Sequence, residues 1–173
     1  AVQGMTTRPT TDKVKESLFN IIGPYFDGGI VLDLFSGSGS LGLEALSRGM
    51  EKGIFVEKDS KALQVIKANI QACKMEEESE VLRSDALRSI KALGGRGLSF
   101  DLILMDPPYK IANTIPAILN EIEENHLLSE DGLIICEHGE ELKLPEQIGS
   151  FMKYRHEKYG ITAISFFRTQ DEV

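Results

Sequence analysis

The stretch Ile30-Val31-Leu32-Asp33-Leu34-Phe35-Ser36-Gly37-Ser38-Gly39-Ser40-Leu41-Gly42 decides the fold. Its first six residues are an apolar run interrupted by one carboxylate, which predicts a buried strand. Gly37 to Gly42 fit GxGxxG, and Leu41 to Arg48 read as a short helix ended by Gly49. A second strand, Gly53 to Glu57, closes on an acid 20 residues beyond Gly37. Strand, glycine loop, helix, strand and acid in this order form a nucleotide-binding arrangement. The glycines let the backbone approach a ligand, and Glu57 can accept hydrogen bonds from ribose hydroxyls. A tight strand–helix turn without a ligand is the alternative reading.

Outward from this unit, helices and strands alternate. A helix from about Asp12 to Tyr25, capped by Thr11 or Thr10, carries Val14, Leu18, Ile21 and Ile22 at helical spacing. Ser60 to Cys73 is a second such helix, with Leu63, Ile66 and Ile70 on one face. A third strand lies near Val81-Leu82-Arg83, and a helix from Ala86 to Leu93 is closed by Gly94-Gly95. Phe100 to Met105 is an almost wholly apolar fourth strand. A helix from about Asn113 to Asn125 tolerates Pro116 only in its first turn. Gly132 to Glu137 is a fifth strand, and Phe151–Tyr159 with Thr162–Arg168 form a closing hairpin joined at Gly160. Apolar strands separated by helices predict an α/β fold with a mostly parallel sheet covered on both faces.

The 173 residues suffice for a single domain spanning 1–173. With 42% hydrophobic and 27% charged residues, the composition is that of a soluble globular chain. There is no apolar run long enough to span a membrane and no secretory leader, so a cytoplasmic protein is expected. Two cysteines, Cys73 and Cys136, without metal-ligand spacing predict neither a disulfide framework nor a metal site. The net charge of −8 argues against a non-specific nucleic-acid binder, but the charge is uneven. Glu121 to Glu146 hold nine acidic residues and one basic residue, Lys143, and this stretch is expected to face away from a nucleic acid. Arg8, Lys13 and Lys15 open the chain, and Lys153, Arg155, Lys158 and Arg168 close it, so an acidic mean can hide a basic face.

Asp33 bears on which nucleotide binds. A dinucleotide would lay its pyrophosphate on the glycine loop, where a carboxylate four residues earlier would repel it. The same carboxylate suits a ligand with an ammonium group. S-adenosylmethionine has ribose, adenine and ammonium but no phosphate, so Asp33, Gly37, Gly39 and Glu57 favour it over NAD. Asp33 could instead bond the amides of the loop. Asp85, followed by Ala86, can bond the adenine amino group or cap the next helix.

Asp106-Pro107-Pro108-Tyr109 sits at the carboxyl end of the fourth strand, the edge where open α/β sheets bind ligands. Two prolines fix their φ angles and remove two backbone donors. What remains is a rigid pair of acceptors, the Asp106 carboxylate and the Pro107 carbonyl, with Tyr109 as a stacking face. Two acceptors suit an NH2 group. An exocyclic nucleobase amine is a poor nucleophile because its lone pair is delocalised. Hydrogen bonds from both of its N–H groups can hold it pyramidal, and positioning then carries most of the rate. Three histidines, His126, His138 and His156, share no spacing, and His138 reads as a surface residue. Phe166-Phe167 read as core.

With these residues in place, the chain resembles the RsmD family, bacterial 16S ribosomal RNA guanine-N2 methyltransferases. Three motifs carry the resemblance: Arg8-Pro9-Thr10-Thr11-Asp12-Lys13-Val14-Lys15-Glu16-Ser17-Leu18-Phe19-Asn20, then Val31 to Gly49, then Asp106 to Tyr109. The first is the selective one. The resemblance implies a class I S-adenosylmethionine-dependent methyltransferase fold, Rossmann-like, with seven strands and the last one antiparallel beside the fifth. It implies that Asp33, Phe35, Ser36, Gly37, Ser38, Gly39, Glu57 and Asp85, with Lys58 and Ala86 beside them, hold S-adenosylmethionine. It also implies that Asp106, Pro107, Pro108 and Tyr109 hold a flipped guanine. The implied partner is 16S rRNA within a small-subunit assembly intermediate, engaged by a monomer. Arg8, Thr10 and Lys13 are candidate RNA contacts, or merely cap and solvate the first helix. Family members begin with a short basic β-rich segment before the first motif, of which this chain carries at most a remnant. The nearest rival is a DNA or RNA adenine-N6 amino-methyltransferase, which shares the Asp-Pro-Pro-Tyr turn. A dehydrogenase leaves that turn unexplained, and an intact clamp argues against a non-catalytic binding module.

Overall fold

The computed structural model describes residues 12–170. Arg8 and Thr10, and the proposed caps Thr10 and Thr11, lie outside the described residues. In chain order the elements are α1 (Asp12–Ile22), β1 (Ile30–Leu34), α2 (Ser40–Ser47), β2 (Lys52–Glu57), α3 (Ser60–Ala72), β3 (Ser79–Arg83), α4 (Ala86–Gly95), β4 (Phe100–Met105), α5 (Ile115–Glu124), β5 (Leu128–Gly139), β6 (Gln147–Ile148), β7 (Phe151–Tyr159) and β8 (Thr162–Thr169). A 3-10 helix, Tyr109–Thr114, precedes α5 and takes the first residues of the helix expected from Asn113. Gly94 and Gly95 are the last residues of α4 rather than its stop.

One sheet runs in the order β3-β2-β1-β4-β5-β8-β7-β6. The first five strands pair in parallel, and β8 enters antiparallel beside β5. The sheet therefore has eight strands rather than the expected seven. The addition is Gln147–Ile148, which pairs with the start of β7 through Met152 and Phe151. Two residues offer no alternation to read, so no periodicity announces this strand.

Alternation along the strands sends side chains to two apolar layers. Leu32, Leu34, Ile54, Val56, Ile103 and Ile134 meet Ile90 and Leu93 of α4 and Ile115, Ile118 and Ile122 of α5. Val31, Phe55, Leu102, Leu104 and Ile135 meet Leu18 and Phe19 of α1, Leu46 of α2 and Ile66 of α3. Phe166 and Phe167 are both fully buried, one in each layer. Adjacent strands end together: Leu34 lies opposite Val56 and Met105, and Met105 opposite Cys136. That common level brings the glycine loop, the end of β2 and the Asp106 turn to one edge of the sheet.

Candidate active site

At the carboxyl edge a cleft of about 1220 Å3 opens between the β1, β2, β3 and β4 ends. Asp33, Phe35, Ser36, Gly37, Ser38, Glu57, Lys58, Asp85 and Ala86 line one part of it, and Asp106, Pro108 and Tyr109 another. Most of the expected residues thus share one wall system. Two do not line it. Gly39 is turned to the core, where a Cβ would stand 3.5 Å from Phe55 and Ile66. Pro107 is buried and stiffens the turn from behind.

The loop is shaped by backbone conformation. Phe35, although not glycine, has φ +58, and Gly39 has φ +80. A left-handed aromatic residue at the end of a buried strand is strained, and such strain collects at ligand sites. Gly42 serves close packing: a Cβ there would fall 2.5 Å from the Phe55 ring and 3.0 Å from Asp33 Oδ2. Nothing lies within 4 Å of the position a Cβ would take at Gly37. That open cradle beside a carboxylate-rich wall fits a sugar-and-amine ligand better than a phosphate.

The carboxylates hold the loops together through backbone amides. Asp33 Oδ2 accepts from the Gly42 N–H at 3.0 Å. Asp33 thus bonds a backbone amide of the first turn of α2 rather than one of the loop itself. Burial pushes its pKa up from 3.8 to about 8, the Glu57 charge adds to the rise, and the Gly42 and Ser36 hydrogen bonds oppose it. Glu57 Oε1 accepts from Gly37 N–H at 3.0 Å, and Oε2 from Lys58 and Asp59 N–H at 3.1 and 2.9 Å. A carboxylate has about four acceptor sites, so room for a ribose hydroxyl remains. Asp85 caps α4 by accepting from Arg88 N–H at 2.9 Å, the helix-cap reading of it, and also lines the cleft.

The Asp106 turn is held differently. The Pro108 carbonyl accepts from Ile111 N–H at 3.0 Å, which starts the 3-10 helix. Asp106 Oδ1 is buried, whereas Tyr109 is 48% exposed. Glu137 lies two residues before the end of β5, with 2% exposure. Cys136 lies opposite Met105, so Glu137 stands level with Asp106 on the neighbouring strand. Sequence reading passed over Glu137; a lone acid after the apolar run Leu133–Cys136 was the available signal. Lys15 was also missed as a loop contact. Its Nζ donates to Ser40 Oγ at 3.1 Å and lies 3.7 Å from Glu44, tying α1 to the start of α2. Lys13 is exposed on α1.

His138 corrects the expectation of a surface histidine: it is 1% exposed. The reason is β8, whose insertion beside β5 covers it and supplies Ser165 Oγ 2.9 Å from Nε2. Among the described residues there is no group of three potential metal ligands, and no helix is long and apolar enough to cross a membrane.

A mostly parallel sheet in this order, with the glycine loop and the Asp-Pro-Pro-Tyr turn facing one cleft, defines a class I S-adenosylmethionine-dependent methyltransferase. The family model described as "Conserved hypothetical protein 95" matches residues 1–168. The chain is 50% identical over 168 residues to the Bacillus subtilis protein named "Putative rRNA methyltransferase YlbH", covering 97% of this chain and 91% of that one. It is 31% identical over 163 residues to "Ribosomal RNA small subunit methyltransferase D" of Escherichia coli, covering 94% and 80%. A solved Streptococcus pyogenes structure described as a conserved hypothetical protein superposes with a TM-score of 0.85 at 39% identity, over 90% of this chain and 95% of that one. The chain belongs to this family, that of the RsmD methyltransferases.

Proposed function

We propose that the protein methylates the exocyclic N2 amine of a guanine in 16S ribosomal RNA, using S-adenosylmethionine, on a small-subunit assembly intermediate and as a monomer. The observation that carries the reading is the shared cleft: Asp106, Pro108 and Tyr109 face the same space as the glycine loop and Glu57. The names of the relatives support ribosomal RNA as the acceptor.

Asp33, the loop from Phe35 to Ser38, Glu57 and Asp85 are the residues that would hold the cofactor. When bound, S-adenosylmethionine supplies an electrophilic methyl group. Asp106 accepts an N–H bond of the target amine, which helps to localise its lone pair, and Pro107 holds the turn rigid from behind. Tyr109 stacks on the base, which must leave its helix to reach the cleft. The amine becomes acidic only as the new bond forms, so an ordinary carboxylate at Asp106 suffices to take the proton or pass it to water. Shape and single-strandedness, rather than a target-recognition domain, would locate the base in folded RNA.

The test is transfer of label from S-adenosylmethionine to unmodified small-subunit particles, naked 16S RNA and duplex DNA, followed by nucleoside analysis. N2-methylguanosine is expected, with particles as the better acceptor. Label in N6-methyladenine would keep the mechanism and overturn the substrate.

A further inference from the structure

The glycine loop is gripped from outside its own strand and helix by α3. Asn69 Nδ2 donates to the Ser38 carbonyl at 2.9 Å, a part-buried bond between residues 31 apart in the chain. A carbonyl can only accept, so the contact settles which end of the Asn69 amide carries the hydrogens. Ile66, three residues earlier on α3, lies against the same loop: a Cβ at Gly39 would stand 3.5 Å from its Cγ2. Residues three apart share a helix face. That face of α3 thus brings one apolar side chain and one amide to the loop.

The Asn69 bond acts on a single peptide unit. Ser38 supplies its carbonyl and Gly39 its N–H, and that N–H donates to the Ser36 carbonyl at 2.7 Å. Both polar ends of the Ser38–Gly39 peptide are therefore held, one by the turn itself and one by α3. On the other side of Ser38, the Gly37 N–H donates to Glu57 Oε1 at 3.0 Å. Gly37 and Gly39 both take positive φ, +56 and +80. Glycine backbone is the least restricted of all, so a loop with glycine on both sides of Ser38 has several shapes open to it. Two anchors from outside, Glu57 at the end of β2 and Asn69 on α3, select one. In that shape Ser36, Gly37 and Ser38 line the cleft.

Helix preference does not account for Asn69. In a helix interior asparagine ranks below Ala, Leu, Lys and Gln, because its amide competes with the backbone for hydrogen bonds. Here the amide leaves its own helix and serves a loop distant in the chain. A local rule broken beside a ligand cleft points to a role in that cleft.

We propose that Asn69 is a positioning residue for S-adenosylmethionine: by holding the Ser38 carbonyl it keeps the glycine loop in the shape that receives the cofactor. α3 then belongs to the cofactor site although it acts from behind the wall, and the ordering of the loop is complete before the ligand arrives. This rests on the glycine loop being the cofactor site, and not on which base is methylated. The test is calorimetric S-adenosylmethionine affinity, without RNA, in Asn69→Leu and Asn69→Asp. The first removes the donor at similar volume, and leucine is the better helix former, so the cofactor-free Tm should hold or rise. The second keeps the shape but sets an acceptor against the Ser38 carbonyl. Affinity should weaken about 3- to 10-fold in Asn69→Leu and at least as much in Asn69→Asp. In turnover the loss should appear in the KM for S-adenosylmethionine rather than in kcat. Without cofactor, hydrogen exchange at the Gly39 amide should quicken in both variants. Affinity within twofold of the unaltered protein in both variants would overturn the proposal. So would an affinity lost in Asn69→Leu but kept in Asn69→Asp, because side-chain shape and not the donated bond would then matter. Glu57→Ala measured alongside separates the two failures. If it weakens binding and the Asn69 variants do not, only the role of Asn69 falls; if it too leaves binding intact, the loop is not the cofactor site and both readings fall.

Discussion

The glycine-loop half and the Asp106 half of the cleft are stiffened by different means. Around β1, β2 and β3, four carboxylates hold backbone amides: Asp33 on Gly42, Glu57 on Gly37, Asp59 on Ala62 and Asp85 on Arg88. The N-caps of α3 and α4 belong to this set. Around the end of β4, two prolines set the backbone, and apolar or aromatic surface stands open at Tyr109 and Ile111. A small ligand needs a preformed cradle, and amide–carboxylate bonds preform one at low entropic cost when it binds. On the proposed function, a base arriving on a large RNA would need a rigid turn and exposed aromatic surface, which the two prolines and Tyr109 supply.

The sharpest way to break this comparison is Asp106→Ala. Transfer should fall by at least about 100-fold, because positioning and proton acceptance are both lost, while calorimetric S-adenosylmethionine affinity stays the same. Equal loss of both would mean that the two halves are not separate. Glu57→Ala should do the reverse. Charge-assisted bonds are worth roughly 1.5–3 kcal/mol, so cofactor affinity should weaken about 10- to 100-fold and kcat at saturating cofactor should change little.

Asp33 sharpens the comparison through pH. Its carboxyl is held up at about 8, so below that pH it is largely protonated and must lose a proton to face an ammonium group. Cofactor affinity should rise with pH by up to about tenfold per unit until near pH 8, then level off, and Asp33→Asn should abolish the rise. The same shift carries a stability sign. The folded state binds this proton more tightly than the unfolded one, so Asp33 weakens the fold progressively as pH climbs from 3.8 towards about 8. Thermal melts of Asp33→Asn should be correspondingly flatter across that window. The smallest effect belongs to Asp85→Ala. Loss of an N-cap costs about 1 kcal/mol, which lowers Tm by about 2–4 °C in a chain of this size. Cofactor affinity measured beside it reports how much of Asp85 the adenine uses.

Much of this was legible in one dimension. Asp33, the glycine loop, Glu57 and the Asp106 turn lie at strand ends that apolar runs mark plainly, and local rules govern strand–loop–helix units. The Asp85 cap followed from residue type and position. The burial of Glu137 and the contact of Lys15 with Ser40 were not legible. They depend on β5 lying beside β4 and on α1 lying against α2, pairings between segments distant in the chain. His138 failed for the same reason: a histidine after a strand is buried or exposed according to what pairs with that strand.

The sequence by itself determined the alternating α/β class, the glycine loop and the Asp106–Tyr109 turn, because each is set by residues within a few positions of one another. Only the tertiary structure decided the eight-stranded order, the burial of His138 beside β8, and the common level at which β1, β2, β4 and β5 end. Those depend on strand register, and register is fixed by how whole faces bury against helices. No short stretch of sequence carries that information.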